Sequence, residues 1–228
     1  MAARVVSGNN TRLPVTIMNL VVLKLLPEVV GVFIFFSGIL SAVRGAPNAI
    51  LLIGLSLTLA AIISGGHLNP AVTAMFFLKE NDYSPLAVEA AGLKVVGQLL
   101  GMLLAHIVSR LTFPASVKAE AAATKAKPAK SKGFAGLVGE FVGSLIFFSG
   151  ILKAVELNLG SGTALIVGLS LYIAASIVGN ASGGHLNPAV SVMALLKGWN
   201  TLGDVALYIP IQIVAGGAAL KLSEIMSA

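Results

Sequence analysis

The chain has 228 residues and is 57% hydrophobic but only 11% charged, with a mean hydropathy of +0.95. A soluble domain of that length carries about 25% charged residues, so the composition excludes a water-soluble globular protein and points to a multi-pass membrane protein. No cysteine is present, which removes disulfides, thiolate metal sites and cysteine nucleophiles, and the net charge of +6 draws on a lysine-rich linker rather than a nucleic-acid-binding face.

Residues Met1–Pro14 are polar, with Arg4 and Arg12, and no small-residue cleavage pattern precedes the first apolar run. That run, Val21–Val43, is therefore expected to be a retained helix, not a signal peptide. Further apolar runs follow at Ala49–Ile63, Leu86–Val108, Gly133–Ile151, Thr163–Gly179 and Leu202–Leu220. A helix crossing the hydrocarbon core needs about 20 such residues, so six spans are expected. Two other apolar pieces, Asn69–Leu78 and Asn187–Leu196, are too short to cross. Residues 113–132 are rich in Ala and Lys, with Lys118, Lys125, Lys127, Lys130 and Lys132 around Pro128. Such a segment reads as an exposed linker, with anionic lipid headgroups as its minor contact.

The two halves repeat one design. Glu28–Val43 matches Glu140–Val155 almost throughout, Gly54-Leu-Ser-Leu57 matches Gly168-Leu-Ser-Leu171, and Gln98 corresponds to Gln212. The string Ser-Gly-Gly-His-Leu-Asn-Pro-Ala-Val stands at Ser64–Val72 and again at Ser182–Val190. Each repeat holds three spans, an odd number, so the second enters from the opposite face, as inverted repeats do. One domain over 1–228 is expected, with repeat 1 over about 20–112 and repeat 2 over about 133–225.

Asn is a favoured helix N-cap and Pro a favoured first helical residue, so Asn69-Pro70-Ala71 and Asn187-Pro188-Ala189 each start a helix. About ten residues at 1.5 Å each give roughly 15 Å, half the hydrocarbon thickness. The preceding Ser-Gly-Gly-His-Leu is non-helical backbone, tolerated at that depth only where protein buries it or it lines a wet cavity. Two half-helices entering from opposite faces bring both positive dipole ends to the membrane centre. Asn69 and Asn187 then present amide donors to a molecule in a pore. A water turning its oxygen to both breaks the chain along which protons hop, and the positive potential adds to the exclusion.

A plainer reading has the Asn-Pro pairs capping helices of a non-conducting bundle, but one such helix would serve that purpose. For His67 and His185 the plainer reading, a buried imidazole bonding loop carbonyls, outweighs pore contact. Glu28 and Glu140 lie in apolar helices, where an ionisable group faces the bundle interior. Their expected role is to accept N–H bonds from the irregular loops, with a proton relay as the sharper alternative. Gln98 and Gln212 read as interior loop or helix–helix bonds, and the glycines at helical spacing as packing positions.

Taken together, the paired Asn-Pro-Ala motifs, the Glu of the first and fourth spans and the Gly-Leu-Ser of the second and fifth resemble the aquaporin, or major intrinsic protein, family. The resemblance implies an all-α membrane protein: a right-handed bundle of six transmembrane helices plus two re-entrant half-helices, as an inverted repeat. It also implies a pore in each protomer and a homotetramer in the lipid bilayer. It places both termini in the cytoplasm, an orientation the Lys and Arg distribution does not decide. In most of the family an Arg follows the second Asn-Pro-Ala and forms a narrow filter with an aromatic residue; here that position is Val190. The other filter positions carry over to Gly184, Ala175 and Ile53, the last with Ala49 as the alternative, so the filter is expected to be wide and apolar.

The reading that follows is a passive channel for water and small neutral solutes such as glycerol or urea. Two alternatives are a junctional membrane protein with a closed pore and an ion-coupled transporter working through Glu28 and Glu140. No Ser/His/Asp set, metal-ligand spacing or phosphate loop is visible, so no enzyme, cofactor or metal is expected.

Overall fold

Pro27 shapes the start of the first helix. It has no N–H for the carbonyl four residues back, and its ring crowds that carbonyl. One turn of π-helix, Val21–Leu25, therefore precedes α1 (Leu26–Ala42). The computed structural model describes residues 21–112 and 130–227. Most of the lysine-rich linker and the polar N-terminus lie outside these residues. Then come α2 (Ala49–Ser64), α3 (Pro70–Glu80), α4 (Pro85–Thr112), α5 (Gly133–Leu157), α6 (Ser161–Ser182), α7 (Pro188–Lys197) and α8 (Leu202–Ser227). Every regular element among the described residues is a helix.

Five of these helices, α1 with its preceding turn, α4, α5, α6 and α8, are long and apolar enough to cross a membrane. The second expected span is shorter, because α2 has 16 residues. Gly65 stops it in the left-handed conformation at φ 61°, where the chain must fold back toward Asn69. Leu55, Leu59, Ile107, Ile173 and Ile177 are exposed on the outside, an apolar surface suited to lipid.

Local chemistry starts the third span of each half. The Asp82 carboxylate accepts the Ser84 N–H at 2.9 Å, and Ser84 Oγ accepts the Ala87 N–H at 3.3 Å, with Pro85 opening α4. For α8 the pair is Thr201 and Asp204, each side chain accepting the other's backbone N–H, at 3.1 and 3.3 Å. Asp204 also takes the Ser131 hydroxyl at 2.7 Å and the Lys132 N–H at 3.1 Å. The exposed end of the linker is thus tied to the start of α8.

Packing follows the repeat: α1 lies against α2 and α4, α5 against α6 and α8, and α2 against α6 between the halves. The α2–α6 crossing is made by glycine. A Cβ on Gly54 would stand 2.8 Å from the Gly168 carbonyl oxygen, so the backbones touch directly. Gly168→Leu is accordingly expected to cost about 2–3 kcal/mol through overpacking. A lowered thermal unfolding midpoint in detergent would show it; an unchanged midpoint would count against this contact. Each half-helix also meets the opposite half: α3 packs on α8, and α7 touches α4.

Candidate functional site

Both loops end in the same cap. Asn69 and Asn187 have extended backbone, and their side-chain oxygens each accept an N–H of their own helix, Ala71 at 2.9 Å and Ala189 at 2.9 Å. Pro70 and Pro188 take the first helical positions, where no N–H is needed. The preceding residues, Leu68 and Leu186, sit at φ 60° and 50°, a left-handed conformation rare for leucine. Such strain persists only where the surroundings over-determine it. The Leu186 side chain is fully buried over Gly143, where a Cβ would lie 2.6 Å from its Cδ2, and Leu68 packs on Gly31 in the same way.

That turn points each leucine carbonyl across the molecule. Asn69 Nδ2 donates to Leu186 O at 2.8 Å, and Asn187 Nδ2 donates to Leu68 O at 3.0 Å. The two loops are thereby crossed, and each amide keeps one further N–H. Both asparagines line a narrow cavity of about 30 Å³, room for one or two waters.

Behind the loops stand two matching polar clusters. Glu28 and Glu140 are both fully buried. Glu28 accepts the N–H of His67 at 2.7 Å, that of Leu68 at 2.8 Å and Gln98 Nε2 at 3.0 Å. Glu140 accepts the N–H of His185 at 2.9 Å, that of Leu186 at 2.8 Å and Gln212 Nε2 at 2.7 Å. Each Gln amide also donates to a half-helix hydroxyl, Gln98 to Thr73 and Gln212 to Ser191, at 3.0 and 3.1 Å. The histidine rings bond the same hydroxyls, not loop carbonyls: His67 Nδ1 lies 3.2 Å from Thr73 Oγ1 and His185 Nδ1 3.0 Å from Ser191 Oγ. Both rings also line the narrow cavity.

Beyond Thr73 against Ser191, the clusters differ in the neighbour of the histidine ring. His67 Nε2 lies 2.7 Å from Lys94 Nζ, whereas His185 packs edge-on against Tyr208, whose hydroxyl donates to Ser182 O at 3.1 Å. Lys94 and Tyr208 are separated by the same 114 residues as Gln98 and Gln212, so they are repeat counterparts. Lys94 Nζ is also 3.4 Å from His67 Nδ1, so the ammonium sits over the face of the ring.

A second, wider cavity of about 260 Å³ adjoins the first, sharing Phe35, Leu171 and His185 with it. Ile53, Gly184 and Val190 line it, and Ala49 does not. Ala175 stands behind Gly184, where a Cβ would lie 3.4 Å from it. Lys132, Trp199 and Asn200 also line this cavity. Beside the apolar Ile53, Gly184 and Val190, the turn after α7 folds Trp199 and Asn200 back over the same cavity. Nothing in residue spacing signals that fold-back. The signals in the chain for the further residues are position and cost: Thr73 and Ser191 stand one place beyond the repeated string, and Lys94 is a cation inside the apolar run Leu86–Val108. Among the described residues no group of three or more His, Asp or Glu side chains could hold a metal ion.

The sequence model of the family described as major intrinsic protein matches residues 21–158 and 137–228. A glycerol uptake facilitator protein-like 6 from Lactiplantibacillus plantarum is 31% identical over 216 residues, covering 89% of this chain and 97% of that protein. A probable aquaporin NIP7-1 from Arabidopsis thaliana is 29% identical over 154 residues, or 67% of this chain and 53% of that protein. An X-ray structure of the aquaglyceroporin from Plasmodium falciparum superposes with a TM-score of 0.63 at 19% identity, covering 86% of this chain and 90% of that one.

Proposed function

The chain belongs to the major intrinsic protein family of integral, multi-pass membrane channels for water and small solutes, and we propose that its conducting path runs between Asn69 and Asn187. The observation that carries this reading is the crossed pair of amides at the narrow cavity, each with an N–H left to donate. A water held there by both asparagines has its oxygen fixed and its hydrogens turned away along the path. The N-termini of α3 and α7, meeting at the same point, add positive potential. Water passes; a hopping proton or a cation does not.

Glu28 and Glu140 hold the loops open by taking their inward N–H groups. Gln98, Gln212, Thr73 and Ser191 complete that scaffold, and His67 and His185 form part of the wall. Ile53, Ala175, Gly184 and Val190 form the selectivity region, in one channel domain built from two inverted repeats. With Val190 in place of a long cation, the wider cavity supports passage of glycerol and urea as well as water. Four such chains form a homotetramer in the bilayer.

Stopped-flow light scattering of proteoliposomes, challenged in turn with sucrose, glycerol and urea gradients, tests the proposal. Shrinkage faster than in empty vesicles is expected under sucrose, followed by reswelling under glycerol and urea. Shrinkage equal to empty vesicles, with folded protein, would reject conduction. That result would favour a closed junctional protein, a reading supported by Phe35 and Leu171 standing where the two cavities meet. Ion coupling through the glutamates has less support, since all four carboxylate oxygens already accept N–H bonds.

A further inference from the structure

Lys94 is a cation inside a membrane-spanning helix, where a charge is costly and normally marks a function. Its Nζ lies 2.7 Å from Nε2 and 3.4 Å from Nδ1 of His67, the ring that lines the narrow cavity. The lysine is thus one side chain removed from the path. The other charges acting on it are the carboxylates of Glu28 and Glu80 and the ammonium of Lys24, and Lys24 acts with Lys94 on the His67 ring.

The second repeat provides an internal comparison. Glu140 carries the same load as Glu28, two loop N–H groups and a glutamine, yet Tyr208 stands where the lysine would be. Buried glutamate therefore needs no lysine to hold a loop in this fold. The charges acting on His185 are Glu140 and Asp204 against Lys132. Counted with Lys94, the first side sets two cations against two carboxylates, whereas the second sets one cation against two, so Lys94 makes the first side the more positive by one charge. It is also on the second side that Val190 replaces an Arg.

We propose that Lys94, resting on His67, is the charge-selecting residue of this pore: it supplies beside the first loop the cation-repelling charge that Val190 leaves out of the second. The proposal rests on the conducting path given above. A fixed ammonium near a narrow, low-dielectric path raises the energy of any cation there and leaves water nearly unaffected. Its position also exempts it from narrowing the passage, since it acts from behind the wall. A filter Arg repels cations and obstructs solutes together; here the two effects are separated, which leaves the wider cavity free for polyol- or urea-sized solutes.

The test uses full-length protein in liposomes, with sodium flux and water flux measured in the same vesicles for wild type, Lys94→Gln, Lys94→Tyr and Lys94→Arg. Lys94→Tyr installs the side chain that the other repeat already accommodates, so it guards against a fold defect in Lys94→Gln. The ratio of sodium to water flux is expected to rise about tenfold in the Gln and Tyr variants and to stay within about twofold of wild type in Lys94→Arg. A ratio unchanged in Gln and Tyr, or raised equally in Arg, overturns the role of the charge while leaving the pore reading intact. A wild-type protein that passes no water overturns the pore reading, and this proposal with it.

Discussion

Glu140→Leu is expected to lose the folded channel, at a cost of about 3–9 kcal/mol. Leucine fills a similar volume, so the loss is one of acceptors. Oε1 holds the His185 N–H, and Oε2 holds the Leu186 N–H and Gln212 Nε2. All three donors are buried, and each stranded donor costs about 1–3 kcal/mol. Removing a buried charge can be neutral when its partners are also replaced, but two of these partners are backbone and cannot be. The same bonds keep Leu186 in its left-handed conformation, so the loop would also relax away from Asn69. Glu140→Gln keeps one acceptor oxygen and is expected to lose about half as much. Recovery of monodisperse protein in detergent and its unfolding midpoint measure both. A Glu140→Leu protein as stable as wild type would refute the account of this loop.

The double variant Asn69→Asp/Asn187→Asp is expected to keep the helix caps and lose ion exclusion. Aspartate still accepts the Ala71 and Ala189 N–H groups, because the capping oxygen is retained. It replaces each crossing N–H with an oxygen facing the Leu186 or Leu68 carbonyl, so the loops lose both cross-bonds. It also sets two negative charges where two half-helix dipoles present roughly half a positive charge each. The net potential at the centre changes sign. Proton or sodium leak, read with a trapped pH- or sodium-sensitive dye, is expected to rise on the order of 100-fold. Leak no greater than in wild type would place cation exclusion elsewhere in the path, Lys94 being the next candidate. The Lys94→Gln comparison separates the two, since it leaves the amide pair untouched.

Much of the bundle was legible because lipid imposes it. Apolar runs of spanning length, two of half length and an odd number of spans per repeat leave few arrangements once every backbone group must be paired internally. The shortness of α2 was legible as well, in the short apolar run Ala49–Ile63 that Gly65 closes ahead of the loop. At the site, the Asn-Pro caps follow from local backbone chemistry, and the need of Glu28 and Glu140 for internal partners follows from their cost in lipid. Their particular partners do not follow from that cost. A ring bonding loop carbonyls is the plainer reading of His67, but its neighbours are a hydroxyl and Lys94. Around the outer cavity the apolar Ile53, Gly184 and Val190 are joined by rings that no motif marks. Trp199 and Phe35 reach it from a turn after α7 and from the middle of α1.

By itself the amino-acid sequence determined the class of molecule, the duplication, the two capped half-helices and the absence of an Arg at Val190. These depend on local rules: hydropathy over a helix length, Asn and Pro at a helix start, and identity between two strings. The tertiary structure alone decided that each asparagine donates to the opposite loop, that Leu68 and Leu186 are strained to receive it, and that Lys94 rests on His67 while Tyr208 takes its place in the other half. Each of these joins groups 26 to 119 residues apart. No local rule reaches that far: a hydrogen bond depends on tenths of an ångström, and only the packing of helices on glycines such as Gly31, Gly54 and Gly143 sets distances that fine.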